Sequence, residues 1–163
     1  MKNLLILLTL IPVFCFAQNK RLSIFDNLVG KTWVAEGVWQ NGNPFKQEKT
    51  FEYSLDSTIV IANTLGFIDK TQTKFGKRNF GIRQYDKNSD SIRFWEFDVF
   101  GGLNTGTVLA EGKNLFYQYE YGGMQLTNMW EFVNDSIYNF KVGIRKNGRW
   151  AKLFLNTKFI SSE

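Results

Sequence analysis

The stretch SIRFWEFDVFGG, residues 91–102, places two carboxylates, Glu96 and Asp98, two positions apart among large apolar side chains. On a β-strand, residues i and i+2 share a face. Both acids therefore look at solvent, or both look into whatever the aromatics enclose. Carboxylates about 6.5–7 Å apart at Cα can reach the separations that glycosidases use, although a chain this short has little room for the long sugar cleft of such an enzyme. Alternation leaves both orientations open. Ile92, Phe94 and Phe100 lie on the acids' own face, and Arg93, Trp95, Phe97 and Val99 lie on the other. An inward Glu96 must be paired, because an isolated buried carboxylate takes up a proton instead. Arg83, on the preceding strand, is its nearest partner by topology.

Composition removes most other chemistry. The chain has no histidine, which excludes Ser-His-Asp and Cys-His catalysis, imidazole zinc sites and a His-ligated haem. Asp86-Lys87-Asn88-Ser89-Asp90 matches the first half of a calcium loop. The match then fails, with Ser91 where Gly is needed and Phe97 where a bidentate Glu should stand, so the segment reads as a hairpin turn. No metal and no cofactor is expected. The remaining signal is aromatic: Tyr117, Tyr119 and Tyr121 share one face, and Trp130 shares another with Leu126 and Phe132. Most of these side chains belong in a core, but apolar walls with a few hydroxyl anchors are also the usual form of a small-molecule site.

The chain begins MKNLLILLTLIPVFCFAQ, with one Lys, an apolar run from Leu4 to Phe16, and small residues at the positions that a signal peptidase reads. This is a secretory leader over residues 1–17, with cleavage expected between Ala17 and Gln18, and its core is too short to span a bilayer. Lipidation of Cys15 is disfavoured by the bulky Phe14 before it. Cys15 is the only cysteine, so no disulfide holds the mature domain, residues 18–163, and a packed core must do so. Loss of Lys2 lowers the net charge from +5 to +4, a mild basicity that favours solubility and does not indicate nucleic acid. The densest basic cluster, Lys74 to Arg78 (KFGKR), reads as a solvated loop. No later segment is apolar enough for a membrane helix.

The elements that must position these residues are strands. Apolar residues follow a period of two, broken by turn signals such as Asn41-Gly42-Asn43-Pro44, Gly122-Gly123 and Lys146-Asn147-Gly148. Helical spacing occurs only near Ile24 to Val29. About ten short strands joined by tight turns must close or leave two long edges exposed, so the expected fold is all-β. It is one antiparallel up-and-down barrel of about 8–10 strands with a short N-terminal helical turn.

The run Phe25-Asp26-Asn27-Leu28-Val29-Gly30-Lys31-Thr32-Trp33 resembles the entry to the calycin superfamily, the lipocalins, fatty-acid-binding proteins and their secreted bacterial lipocalin-like relatives. Two residues separate the Gly from the Trp here. The meander, with Trp95-Glu96-Phe97-Asp98 and Trp130-Glu131-Phe132, extends the likeness as a pattern. The resemblance implies that Gly30 and Trp33 are structural and close one end of a barrel.

The leading expectation is a secreted or periplasmic protein that holds a small, largely hydrophobic molecule inside the barrel, with Arg83, Glu96, Tyr117, Tyr119 and Trp130 at cavity positions and no catalysis. A barrel packed solid and acting through its surface is the alternative. An enzyme acting on a hydrophobic substrate through Glu96 or Asp98 is the third.

Overall fold

A computed structural model describes residues 21–162; the expected leader and its cleavage site lie outside the described residues. Ten antiparallel strands follow in chain order: β1 (Thr32–Val38), β2 (Pro44–Ser54), β3 (Ile59–Phe67), β4 (Phe75–Asp86), β5 (Ser91–Asp98), β6 (Leu103–Glu111), β7 (Asn114–Tyr121), β8 (Met124–Asn134), β9 (Ile137–Lys146) and β10 (Arg149–Ser162). Each strand pairs with the next, and β1 pairs with β10 through Trp33↔Ser161 and Val34↔Ile160, so the sheet closes. Closure leaves no free edge for another chain to pair with. Among the described residues the one helical piece is a 3-10 turn, Ser23–Phe25.

Turn chemistry sets the strand boundaries. Asn147 and Gly148 both take positive φ, 50° and 76°, the geometry of a two-residue hairpin whose twist suits its strands. The Asp86–Asp90 segment is a hairpin turn in which the Asp86 carboxylate accepts hydrogen bonds from Asn88 N and Ser89 Oγ. The third hairpin is tighter than the sequence indicates. β4 begins at Phe75, inside the Lys74–Arg78 cluster that reads as a loop, with Phe75 opposite Phe67. Asp69 folds the connection by accepting from the backbone N–H groups of Thr73 and Lys74. Leu55, just past β2, takes an exposed turn position at φ 49°.

The two ends of the barrel are built differently. One end is plugged by the segment before β1, whose Leu22, Phe25 and Leu28 are buried. Phe25 and Leu28 recur at i and i+3, which a helical turn places on one side. Gly30, at φ 75°, lets the chain step from the plug into the barrel wall, where its N–H donates to Phe51 O at 3.1 Å. Trp33 then points inward, fully buried, and its Nε1 donates to Leu28 O at 3.0 Å, tying the plug to the wall.

Above the plug lies a layer of aromatic rings. Trp33 meets Tyr138 edge-on at 5.3 Å, and Trp130 stacks on Phe159 at 4.3 Å with planes 13° apart. Phe51 and Phe140 stand edge-on to Trp130. A ten-strand barrel is wide, and large flat side chains fill such a width where aliphatic ones would leave voids.

Because Trp33 both packs and bonds the plug, replacing it with Ala should cost about 3–5 kcal/mol of stability, read as a lower urea midpoint at unchanged slope. A loss under about 1 kcal/mol would show that the plug is held some other way.

Candidate functional site

The inward residues of β2, β4, β5 and β7 converge just above the aromatic layer. Lys49, Arg83, Glu96 and Tyr117 come from four different strands. Gly81 pairs with Glu96, and Arg83 with Phe94, in the β4–β5 register. Period-two alternation therefore puts Gly81, Arg83, Phe94 and Glu96 on the interior face together. Glu96 points inward.

Arg83 is the centre of the cluster. It is 1% exposed; its Nη2 donates to Glu96 Oε2 at 2.7 Å and its Nε to Tyr117 Oη at 3.2 Å. Lys49 Nζ stands 3.8 Å from the same carboxylate oxygen, an ion pair without a direct hydrogen bond. The guanidinium also lies over the Tyr117 ring, 5.2 Å from its centroid. Gly81 makes room for all of this: a Cβ there would lie 2.2 Å from Arg83 Nη1 and 3.2 Å from Glu96 Oε2.

Two cavities meet at this cluster. A small one of about 60 Å³ is lined by Lys49, Arg83, Phe94, Glu96, Tyr117, Trp130 and their neighbours, and it has room for a few water molecules. Beyond it a cup of about 620 Å³ opens at the end opposite the plug, walled by Trp39, Leu126, Val142 and Phe154. Glu96, Asn104 and Tyr119 border both spaces. Tyr119 donates its hydroxyl to Asn128 Oδ1 at 3.0 Å. The cup's floor is thus an acceptor carboxylate flanked by an amide and a phenol.

All five residues expected at cavity positions, Arg83, Glu96, Tyr117, Tyr119 and Trp130, line the small cavity, while only Glu96 and Tyr119 also reach the cup. Tyr121, on the same face of β7, stands at the mouth and is exposed. Sequence reasoning missed Lys49, although its spacing from Phe51 and Tyr53 puts it on their face. It also missed Asn104, Asn128 and Gly81; Asn128 shares the Leu126–Trp130 face, and Gly81 precedes Arg83 by two.

Glu96 and Asp98 share a face but not a role. Asp98 Oδ1 accepts from the backbone N–H groups of Phe100 and Gly102, each at 2.8 Å, and so closes the β5–β6 turn at the rim. Burial pushes the Glu96 carboxyl upward, but the positive charges of Lys49 and Arg83 and the hydrogen bond from Arg83 outweigh it and hold the group at about 2. Burial lowers the Lys49 ammonium more than Glu96 raises it. Burial also raises both phenols, Tyr119 to about 12, which keeps them neutral donors. A carboxyl held at about 2 has no proton to give at neutral pH and is a poor base.

A carboxyl depressed in the folded state stabilises the fold above its unfolded value and loses that contribution as pH falls through the folded one. For Glu96 the loss runs from about 4.5 down to about 2. Replacing Glu96 by Gln leaves two inward cations uncompensated and should cost roughly 3–5 kcal/mol at neutral pH. The variant's denaturation midpoint should also show a smaller decline through that acid window. An unchanged acid limb would mean that other carboxyls carry it. Gly81→Ala should weaken the fold through the same pair, and if it were neutral in urea denaturation, Arg83 would have another place to sit.

Comparison with known protein families and with curated proteins finds no match to this chain, so its likeness to the calycins is one of barrel architecture and of the short plug-to-Trp33 motif.

Proposed function

We propose that this protein is secreted after cleavage of its leader and binds one small amphiphilic molecule in the open cup, without transforming it. The cup itself carries the reading: about 620 Å³ of space that ends on a charged, hydrogen-bonding floor. Ligand sites of drug-sized molecules fall in the range of about 300–1,000 Å³ and combine apolar walls with a few polar anchors. Here Trp39, Leu126, Val142 and Phe154 offer the walls and Glu96, Asn104 and Tyr119 the anchors. The lining also includes Gln47, Asn79 and Lys152, which suits a molecule with polar groups along its length better than a bare hydrocarbon.

The end of the ligand that reaches the floor is a hydrogen-bond donor. Glu96 Oε2 is occupied by Arg83 and Lys49, and among the described residues none donates to Oε1. An ionised carboxylate with a free oxygen attracts a hydroxyl or N–H group and repels another carboxylate. Arg83 stands behind Glu96 and does not line the cup, so it is not the group that the ligand meets first.

The two alternatives have less support. A solid barrel working through its surface accounts for the aromatic half of the interior but not for the cup. Catalysis through the acid pair requires a group that exchanges protons, whereas Asp98 is committed to its turn and Glu96 to its cations.

Native mass spectrometry on protein recovered through its own secretion route tests this reading. An added mass that is absent from the denatured chain is expected, and Leu126→Trp, which fills the cup away from the ion cluster, should abolish it. A bare native chain, together with no change in melting temperature on adding long-chain alcohols or amides, would overturn it.

A further inference from the structure

The outer surface around the mouth carries features that interior binding does not use. Phe80, Phe97 and Leu103 are cross-strand neighbours on the outer face, since Phe80 pairs with Phe97 and Phe97 with Leu103. They form an apolar row across β4, β5 and β6, and each is between 43% and 52% exposed. Val99 and Phe100, in the adjoining turn at the rim, extend the row and are similarly exposed. A soluble monomer rarely leaves so many large apolar groups contiguous without a partner for them.

Cations border this apolar surface and continue round the rim of the mouth. Arg78 lies over the Phe100 ring at 4.8 Å, and Lys46 over Phe75 at 5.7 Å. Lys70, Lys74 and Lys77 on the β3–β4 side, and Lys146 and Arg149 at the β9–β10 hairpin, are exposed, and among the described residues none of these five forms an ion pair. Most acids at this end are engaged, the exposed Glu120 beside the β7–β8 turn excepted. Glu36 pairs with Lys46 at 2.6 Å, while Asp69 and Asp98 are folded into their own turns. At the plugged end exposed acids and cations are mixed: Asp90 pairs with Arg21 and Asp135 with Lys113, while among the described residues Asp56, Glu111 and Lys87 form no ion pair. The barrel is thus polarised along its axis, basic and aromatic at the mouth and of mixed charge at the plug.

We infer that the mouth and the adjoining β4–β6 wall dock on a lipid bilayer that carries anionic headgroups. The charge asymmetry selects the occupant and its orientation: lysines and arginines near an anionic leaflet gain attraction over about a Debye length, and aromatic side chains settle at the level of the headgroups. An acidic protein would match the cations but would not by itself call for the phenylalanine row. In this orientation the cup faces the membrane, so an amphiphilic molecule could pass between bilayer and cup without crossing water. The docking surface does not depend on that: it would exist even if the cup bound nothing.

Co-sedimentation of the full chain with vesicles tests the inference directly. Phosphatidylcholine vesicles containing phosphatidylglycerol should bind the protein, and vesicles of phosphatidylcholine alone should bind it at least about tenfold more weakly, a gap that shrinks at high salt. Phe97→Ser with Phe100→Ser, and separately Lys74→Glu with Lys77→Glu, should each reduce binding to the anionic vesicles about tenfold or more. Lys87→Glu at the plugged end should not. These positions are exposed, and unchanged near-ultraviolet circular dichroism would show that each variant is folded. No binding to either vesicle, binding equal on both, or binding insensitive to the mouth variants would overturn the inference. So would a concentration-dependent dimer, seen by sedimentation velocity, that the Phe97/Phe100 variant disperses, because the row would then be a contact between copies of this chain.

Discussion

The interior of this barrel is organised by one requirement: a guanidinium as buried as that of Arg83 must find its charge and hydrogen-bond partners inside the wall. Glu96 meets it with a direct bond from the next strand, Tyr117 accepts a second from across the barrel, and Gly81 leaves the space in which the group lies. Below the guanidinium the interior is packed with aromatic rings, down to the plug. Above it, the interior opens. Had Arg83 been an aliphatic residue, the aromatic packing could have continued upward and closed the cup, so the ion pair marks where the core ends and the binding space begins.

That boundary explains which parts of the molecule were legible in the sequence. Strand number, order and closure followed from period-two alternation and from turn residues such as Asn147-Gly148, both local signals. The orientation of β5 did not follow, because its outer face is nearly as apolar as its inner one. Phe97 lies outward against Phe80 and Leu103 in a row that sequence patterning reads as core. What decides the matter is a non-local fact, that Glu96 finds two cations inside, Arg83 from β4 and Lys49 from β2. Arg83 was available as a partner on topology alone. Lys49 was not noticed, although Phe51 and Tyr53 fix its face, because a lysine in a strand is ordinarily read as solvated. The Lys74–Arg78 cluster reads as a loop but is largely strand for a smaller reason: the carboxylate of Asp69 gathers the backbone of residues 73 and 74, and that lets pairing resume at Phe75.

The calycin-like entry motif has a physical meaning here that does not depend on ancestry. A barrel of ten strands closes its circumference through the sheet but not its two ends, and each end needs its own solution. At one end Leu22, Phe25 and Leu28 cover the aromatic layer, and the indole N–H of Trp33 returns to Leu28 O. The step from plug to wall needs a left-handed residue, and Gly30 provides it. At the other end no segment folds over the mouth among the described residues. The same chain therefore makes a sealed floor and an open top, an asymmetry without which neither a cup nor a preferred orientation would exist.

Charge in the cluster is unequal, with two cations facing one carboxylate. This would be costly in a sealed core, where an uncompensated ion has no solvent to turn to. It is tolerable here because the Glu96 side chain remains 20% exposed toward the cup, so water or a bound polar group can screen the excess. Burial, with the charge of Arg83 added to it, lowers the Lys49 ammonium in spite of Glu96. An arrangement made only for stability would either have paired both cations or replaced the set with apolar side chains, which in buried sites is often neutral or favourable. Only Glu96 of the three charged groups reaches the floor of the cup, with Arg83 and Lys49 behind it, and an ion cluster that presents its carboxylate to an accessible space fits the proposed ligand site better than a purely structural role.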